Sequence, residues 1–454
     1  MEGDKISNLI EISELAVGNS KKLGVDEVEG FVQRQRIIEV LLERGEIQSE
    51  RVKIRRGIGI RAIKDKSVGF SFASVLDERT IRETCKDAFS LARASPKNPD
   101  WVSLPLPKRI PPAPDGLYDD DLSSLTSDEA LNIVLEGYET AKEVDPRVSI
   151  DEGKLIVSST EIAISNSHGI SLYDRGTSIA FYLICVAKEK GKASSFAYEY
   201  DISRTLKGFS ARKVGELAAK KALLSLGAKS IKPFRGDVIL SPDVASEILF
   251  APLISSVNAD NVQRGRSLWA NRIGESVSVR SLTIIDDGLL PYGLGSSPFD
   301  AEGVPSQRTI VIENGVLKSF LYDSYTANKV NRESTGNAAR EGYSSPPYIS
   351  ASNLLVSPGT KSLEEMISEV DRGVIVNRFS GKVSNESGEF SGIAKQAIYI
   401  EDGEMRFPLR ETMISGNTFE SLNKIAAIGR DRRATMMDVY TPPILIEEIT
   451  ITSK

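Results

Sequence analysis

Between residues 95 and 125 the chain carries Pro96, Pro99, Pro105, Pro107, Pro111, Pro112 and Pro114, seven of its twenty prolines. Proline fixes φ and offers no backbone N–H, so this run fits neither a helix nor a central strand. It reads as an extended strap, with a docking polyproline ligand as the alternative. The strap divides the sequence into an N-terminal α+β subdomain (1–94), the linker itself (95–125), a second α+β subdomain (126–230) and a longer C-terminal region (231–454).

On the N-terminal side, Ile6, Leu9, Ile10, Ser13 and Val17 share one face of a helix that Gly24 can end in a left-handed cap. Residues 31 to 75 alternate branched apolar and polar types, and Asp65-Lys66 is placed as a hairpin turn between strands at 58–63 and 68–73. Asp77 is expected to cap a helix whose Ile81, Cys85, Ala88, Phe89 and Ala92 face the core, which makes Cys85 a buried, inert thiol. Beyond the strap, Thr126 and Glu129 form a capping box for a helix to about residue 144. Runs at 154–165, 169–173, 178–188 and 193–200 read as a strand meander, followed by a helix from about 210 to 225 that stops at Gly227.

The C-terminal region opens with a buried-type strand at 237–240 and a helix started by Ser241-Pro242, which Pro252 is expected to kink or end. A polar stretch (258–272) leads to a strand at 281–285 closed by Asp286-Asp287-Gly288, two acids read as a solvated turn. Strands at 309–312 and 316–321 flank Asn314-Gly315, a strong hairpin signal. The fold class is therefore α+β: an N-terminal α/β region with antiparallel sheets and helices, then a C-terminal β-rich domain with flanking helices.

The chain has one histidine, His168, and two cysteines among 454 residues. A catalytic zinc takes three protein ligands drawn mainly from His, Cys and carboxylates, and Ser-His-Asp or Cys-His catalysis also passes through an imidazole. His168 lies in Asn166-Ser167-His168-Gly169, which reads as an exposed hairpin tip, and Cys185 alternates within an apolar strand. A carboxylate-only site for Mg²⁺ or Ca²⁺ could draw on Asp286-Asp287 or on Asp300 with Glu302, although adjacent acids usually form a solvated turn. A net charge of −6 and no Lys/Arg-dense run argue against nucleic-acid binding. No signal-peptide pattern and no run of ~18 apolar residues is present, so neither membrane nor export is expected and the cytoplasm is the expected location.

The run from Asp300 to Leu321, with Ser334-Thr335-Gly336-Asn337-Ala338-Ala339-Arg340-Glu341, resembles the TldD/PmbA (TldD/TldE) family. Arg56-Gly57-Ile58-Gly59-Ile60-Arg61, the segment at 381–392, Glu401-Asp402-Gly403 and Gly416-Asn417 extend the resemblance over nearly the whole chain. In that family the TldD-type subunits are metalloproteases with a His-Glu-x-x-x-His motif on the helix after the first strand of the C-terminal domain, and a later cysteine completes the zinc ligands. Here the corresponding stretch reads Ser246-Glu247-Ile248-Leu249-Phe250-Ala251-Pro252. It has neither histidine, and no cysteine follows Cys185.

The resemblance thus implies a TldE/PmbA-type subunit with no catalytic residue and no cofactor of its own. Zinc is expected in a TldD-type partner, and Glu247, Phe250 and Ala251 mark the position of the lost metal motif. Peptide substrate is expected to meet Asp300, Glu302, Gln307, Arg308, Thr335, Gly336, Asn337 and Arg340, lining a chamber enclosed by a heterodimer, with a homodimer as the alternative state in isolation. Two alternatives stand beside this: an autonomous metallopeptidase with an atypical metal site, and a non-enzymatic regulatory module of the DNA gyrase modulator type.

Overall fold

The computed structural model describes residues 8–410 and 412–453; Ile6 and the acidic opening Met1 to Lys5 lie outside the described residues. Asn8 accepts the N–H of Ile10 to start α1 (Leu9–Leu23), and Gly24 ends it at φ 88°. The hairpin formed by β1 (Glu27–Glu43) and β2 (Glu46–Lys64) is far longer than the alternation suggested. β2 turns into β3 (Ser67–Ala73) through Asp65 and Lys66, both at positive φ, as the right-handed twist of a two-residue hairpin demands.

α2 (Glu78–Ala94), capped by Asp77, precedes the strap, and α3 (Asp120–Ser124) and α4 (Ser127–Val144) follow it; Thr126 and Glu129 make the expected capping box. Then come β4 (Val148–Asn166), β5 (Ser171–Glu189), β6 (Lys192–Ala193), β7 (Ala197–Ser203) and α5 (Ala211–Leu224). The runs at 169–173 and 178–188 are one strand, because Asp174, Arg175 and Gly176 keep pairing with Ile162, Glu161 and Thr160.

All seven strands form a single antiparallel sheet, ordered β3-β2-β1-β4-β5-β6 with β7 also on β5. β1 pairs with β4 from Glu29 opposite Asn166 to Glu43 opposite Glu152, so the sheet crosses the gap that the strap opens in the sequence. Even-numbered β1 residues face the helices: Val28 and Val32 pack with α1 and α2, and Ile38, Val40 and Leu42 with α4 and α5. Odd-numbered Glu29, Phe31 and Gln33 face the C-terminal half, where Gln33 accepts the Tyr343 N–H. This alternation leaves one sheet face for helices and gives the other to the rest of the molecule.

In the C-terminal half, the strand Phe234–Leu240 is central to a nine-stranded sheet, parallel to Arg372–Val376 and antiparallel to Ile444–Ser453. A second sheet places Ile284–Asp287 between Arg308–Glu313 and Leu354–Val356. One large core holds Val238, Leu240, Ile284, Leu354 and Val374 together with Phe250, Leu253 and Trp269. The β-rich C-terminal half and the antiparallel N-terminal sheet make the protein α+β. Among the described residues no helix is long and apolar enough to cross a membrane.

Candidate functional site

Ser241 and Pro242 start the helix after the first C-terminal strand, but the Ser241 side chain makes no cap bond and its hydroxyl donates to the Asn377 carbonyl at 3.2 Å. Pro242–Ala245 is α-helical, Ser246–Phe250 widens to a π-turn, and Ala251–Val257 continues as α-helix. Pro252 thus neither ends nor breaks the element. Proline removes one N–H and its ring clashes with the carbonyl four residues back. The wider turn makes room, Ala251 N–H bonds the Ser246 carbonyl, and Thr418 Oγ1 donates to the Ile248 carbonyl at 2.5 Å. Ile248, Leu249 and Phe250 are fully buried, while Glu247 is half-buried and faces a cavity.

That cavity, ≈ 440 Å³, lies where β5 and β7 meet this helix. Tyr182 and Tyr200 are opposite one another, and the Tyr198 ring sits 5.6 Å from each. Their hydroxyls are occupied: Tyr182 donates to Glu152, Tyr200 to Asp243, and Tyr198 to the Met436 sulfur at 3.2 Å. Burial pushes Tyr198 up to about 12, and it raises the Asp243 and Glu247 carboxyls above the ordinary range, Glu247 being partly offset by Arg378. For Glu199 burial again acts upward, but Lys221 at 2.7 Å and Arg433 at 2.5 Å outweigh it and hold its carboxyl low.

The second cluster joins the two halves. Arg61 of β2, 5% exposed, bonds Glu29 at 2.7 Å and Glu302 at 2.8 Å, and Arg340 bonds Glu29 and the carbonyls of Ala301 and Ser345. Asp300 accepts N–H groups from Glu302, Val304 and Ala338, while Asn337 donates to Asp286 at 2.7 Å and to the Ser350 carbonyl. Thr335 donates to Asn337, and Gly336 at φ 71° lies so close to Pro305 that a Cβ would fall 2.6 Å from its carbonyl oxygen. Asp300, Gly336, Asn337 and Arg340 line a second cavity of ≈ 350 Å³ between β1 and the C-terminal half. Burial, reinforced by the Glu302 charge, raises Asp300 to about 8; for Glu302 itself, Arg61 overcomes burial and the carboxyl is lowered.

Of the eight residues singled out for peptide, Gln307 and Arg308 are the exposed ones. Gln307 donates to the Ser334 carbonyl, and Arg308 reaches only to 3.9 Å from Asp287. Sequence reasoning missed Arg61 and Glu29 as partners of this motif, although an arginine flanked by Ile60 and Ala62 is a signal of a buried ion pair.

Family models for the PmbA/TldA metallopeptidase match three stretches: domain 1 at residues 28–92, the central domain at 120–226 and the C-terminal domain at 233–453. The chain belongs to the TldD/PmbA family. Its fold superposes on the crystal structure of TldE from Thermococcus kodakarensis with a TM-score of 0.91 at 27% identity, covering 97% of this chain and 99% of that one. Metalloprotease PmbA of Escherichia coli O157:H7 is 27% identical over 96% of this chain and 94% of its own length. A metalloprotease TldD homolog of Buchnera aphidicola (Schizaphis graminum) is 28% identical over 86% and 82%. Identity alone therefore does not separate TldD-type from PmbA-type relatives.

The metalloprotease name carried by these TldD/PmbA relatives implies a metal, and the donor set at the helix does not fit one. Phe250, Ala251 and Pro252 offer no side-chain ligand atom, Glu199 is held by two cations, and Asp243 holds a tyrosine hydroxyl. Among the described residues no three His, Cys, Asp or Glu side chains gather closely enough to hold a metal ion. His168 sits in the expected turn, yet it is not a free tip: its Nε2 lies 2.6 Å from Glu27, whose carboxylate also accepts from Trp101 and Leu104 of the strap. Cys85 and Cys185 are fully buried, and burial raises both thiols, Cys185 to about 12. Asp286 is a correction to the solvated-turn reading. It is a buried strand residue held by Asn337 and Ser352, because the strand runs on through both acids.

Proposed function

We propose that this chain is the non-metal-binding subunit of a TldD/TldE-type metalloprotease complex that degrades or processes unfolded peptides, with zinc and catalysis supplied by a TldD-type paralogue. The observation that carries the reading is the π-turn at Ser246–Phe250, where core packing by Ile248, Leu249 and Phe250 takes the place of a ligand set. The likeness to TldE of Thermococcus kodakarensis supports it. In this reading Gln307 and Arg308 touch peptide, and Asp300, Glu302, Thr335, Gly336, Asn337 and Arg340 shape the surface behind them.

The test is to purify the native protein with whatever accompanies it and to measure zinc per chain in the complex and in each separated subunit. Zinc that follows the paralogue supports the division of labour. One zinc per chain in this subunit alone would reject it.

A further inference from the structure

The cavity at the π-turn is lined mainly by carbon: the mutually tilted rings of Tyr182, Tyr198 and Tyr200, with Phe379 and two methionines. Met436 and Met437 are 50% and 46% exposed, and flexible thioethers at a pocket mouth adapt to different apolar guests. Glu199 and Asp243 do not leave free charge in the wall, since cations and a tyrosine hydroxyl engage them.

Two lining groups are different. Among the described residues, Arg378 has no carboxylate within ion-pairing distance and lies 5.9 Å from the Tyr198 ring, and Glu247 has no hydrogen-bond partner. They are near enough for Arg378 to act on the Glu247 carboxyl, yet they do not bond each other. One donor and one acceptor are thus held apart at the edge of an apolar cavity, an arrangement complementary to the C=O and N–H of a peptide segment whose side chain points inward.

We propose that this cavity receives an aromatic or long apolar side chain of an extended peptide, with Arg378 donating to a backbone carbonyl and Glu247 accepting a backbone N–H of the same segment. The inference rests on the reading above in taking peptide as the substrate. It adds that the subunit without metal selects side chains on its own.

The experiment is fluorescence anisotropy on the isolated full chain, without partner or metal, using a labelled, end-blocked twelve-residue unstructured peptide with one central Phe. The same peptide with Asp in place of Phe is expected to bind at least about tenfold more weakly, as an apolar pocket does not admit an unpaired charge. Arg378→Gln and Glu247→Gln, both half-exposed and so expected to fold, should each weaken the Phe peptide by about tenfold. Equal binding of the two peptides, unchanged binding by both variants, or no binding at all would overturn the assignment. Such a result would leave partner-dependent cleavage untouched, whereas Phe-selective binding by a chain that also carried its own zinc would uphold the cavity and sink the borrowed catalysis.

Discussion

Arg61 lies in a strand whose neighbours Ile60, Ala62 and Ile63 are at most 1% exposed, and its guanidinium ties β1 to Glu302 of the C-terminal half. Two arginines and two glutamates balance one another in this cluster. Removing one partner of a buried pair leaves an uncompensated charge, at a cost of roughly 3–5 kcal/mol. Arg61→Met should lose that much stability in urea denaturation at pH 7; a loss under about 1 kcal/mol would mean the cluster is not a joint. Asp286 gives a pH prediction. Burial raises its carboxyl from 3.8 to about 7, so the folded chain holds a proton that the unfolded chain has released. Its contribution is fully present below about pH 4 and is lost as pH rises through about 7. Asp286→Asn should therefore show a shallower fall in stability between those limits than the natural protein, and parallel slopes would contradict the assignment. The burial of Asp286 was not legible beforehand, because Asn337 and Ser352 reach it from 51 and 66 residues away.

The helix around Pro252 shows how one missing N–H is accommodated at the level of an element. The sequence located its start at Ser241-Pro242 and marked Pro252 as a kink or an end, but the rescue of the Ile248 carbonyl depends on Thr418, the first residue of a short helix (Thr418–Ser421) 170 positions on. Leaving a buried carbonyl unsatisfied costs about 1–3 kcal/mol. Thr418→Val, similar in shape, should lower stability by that amount, and adding Pro252→Ala should recover part of it, since alanine restores a helical donor. If the double variant is no better than Thr418→Val, the hydroxyl is not serving the carbonyl. The turns at Asp65-Lys66 and Asn314-Gly315 were legible because a positive φ at both central residues is a local demand.

Across the whole molecule, the strap is a seam. Glu27 accepts from Trp101 and Leu104 on it, Asn166 donates to the Pro105 carbonyl, and Trp101 stacks at 6.2 Å on Tyr325 of the C-terminal half. Strand alternation announced the elements on either side, but period-two patterning carries no information about which strands pair, and β1 finds β4 over more than a hundred residues. The missing metal ligands at the helix could be read residue by residue; the cavity beside them could not, as its walls come from β5, β7, α5 and the segment near Met436. In the proposed division of labour this chain contributes a surface and its paralogue the chemistry. The most direct measurement is cleavage of an unfolded peptide while this chain is titrated into a fixed amount of the zinc-bearing paralogue. No cleavage is expected from this chain alone, and activity should rise to a plateau at one chain per paralogue. Turnover by this chain alone, or a paralogue indifferent to its addition, would contradict that division.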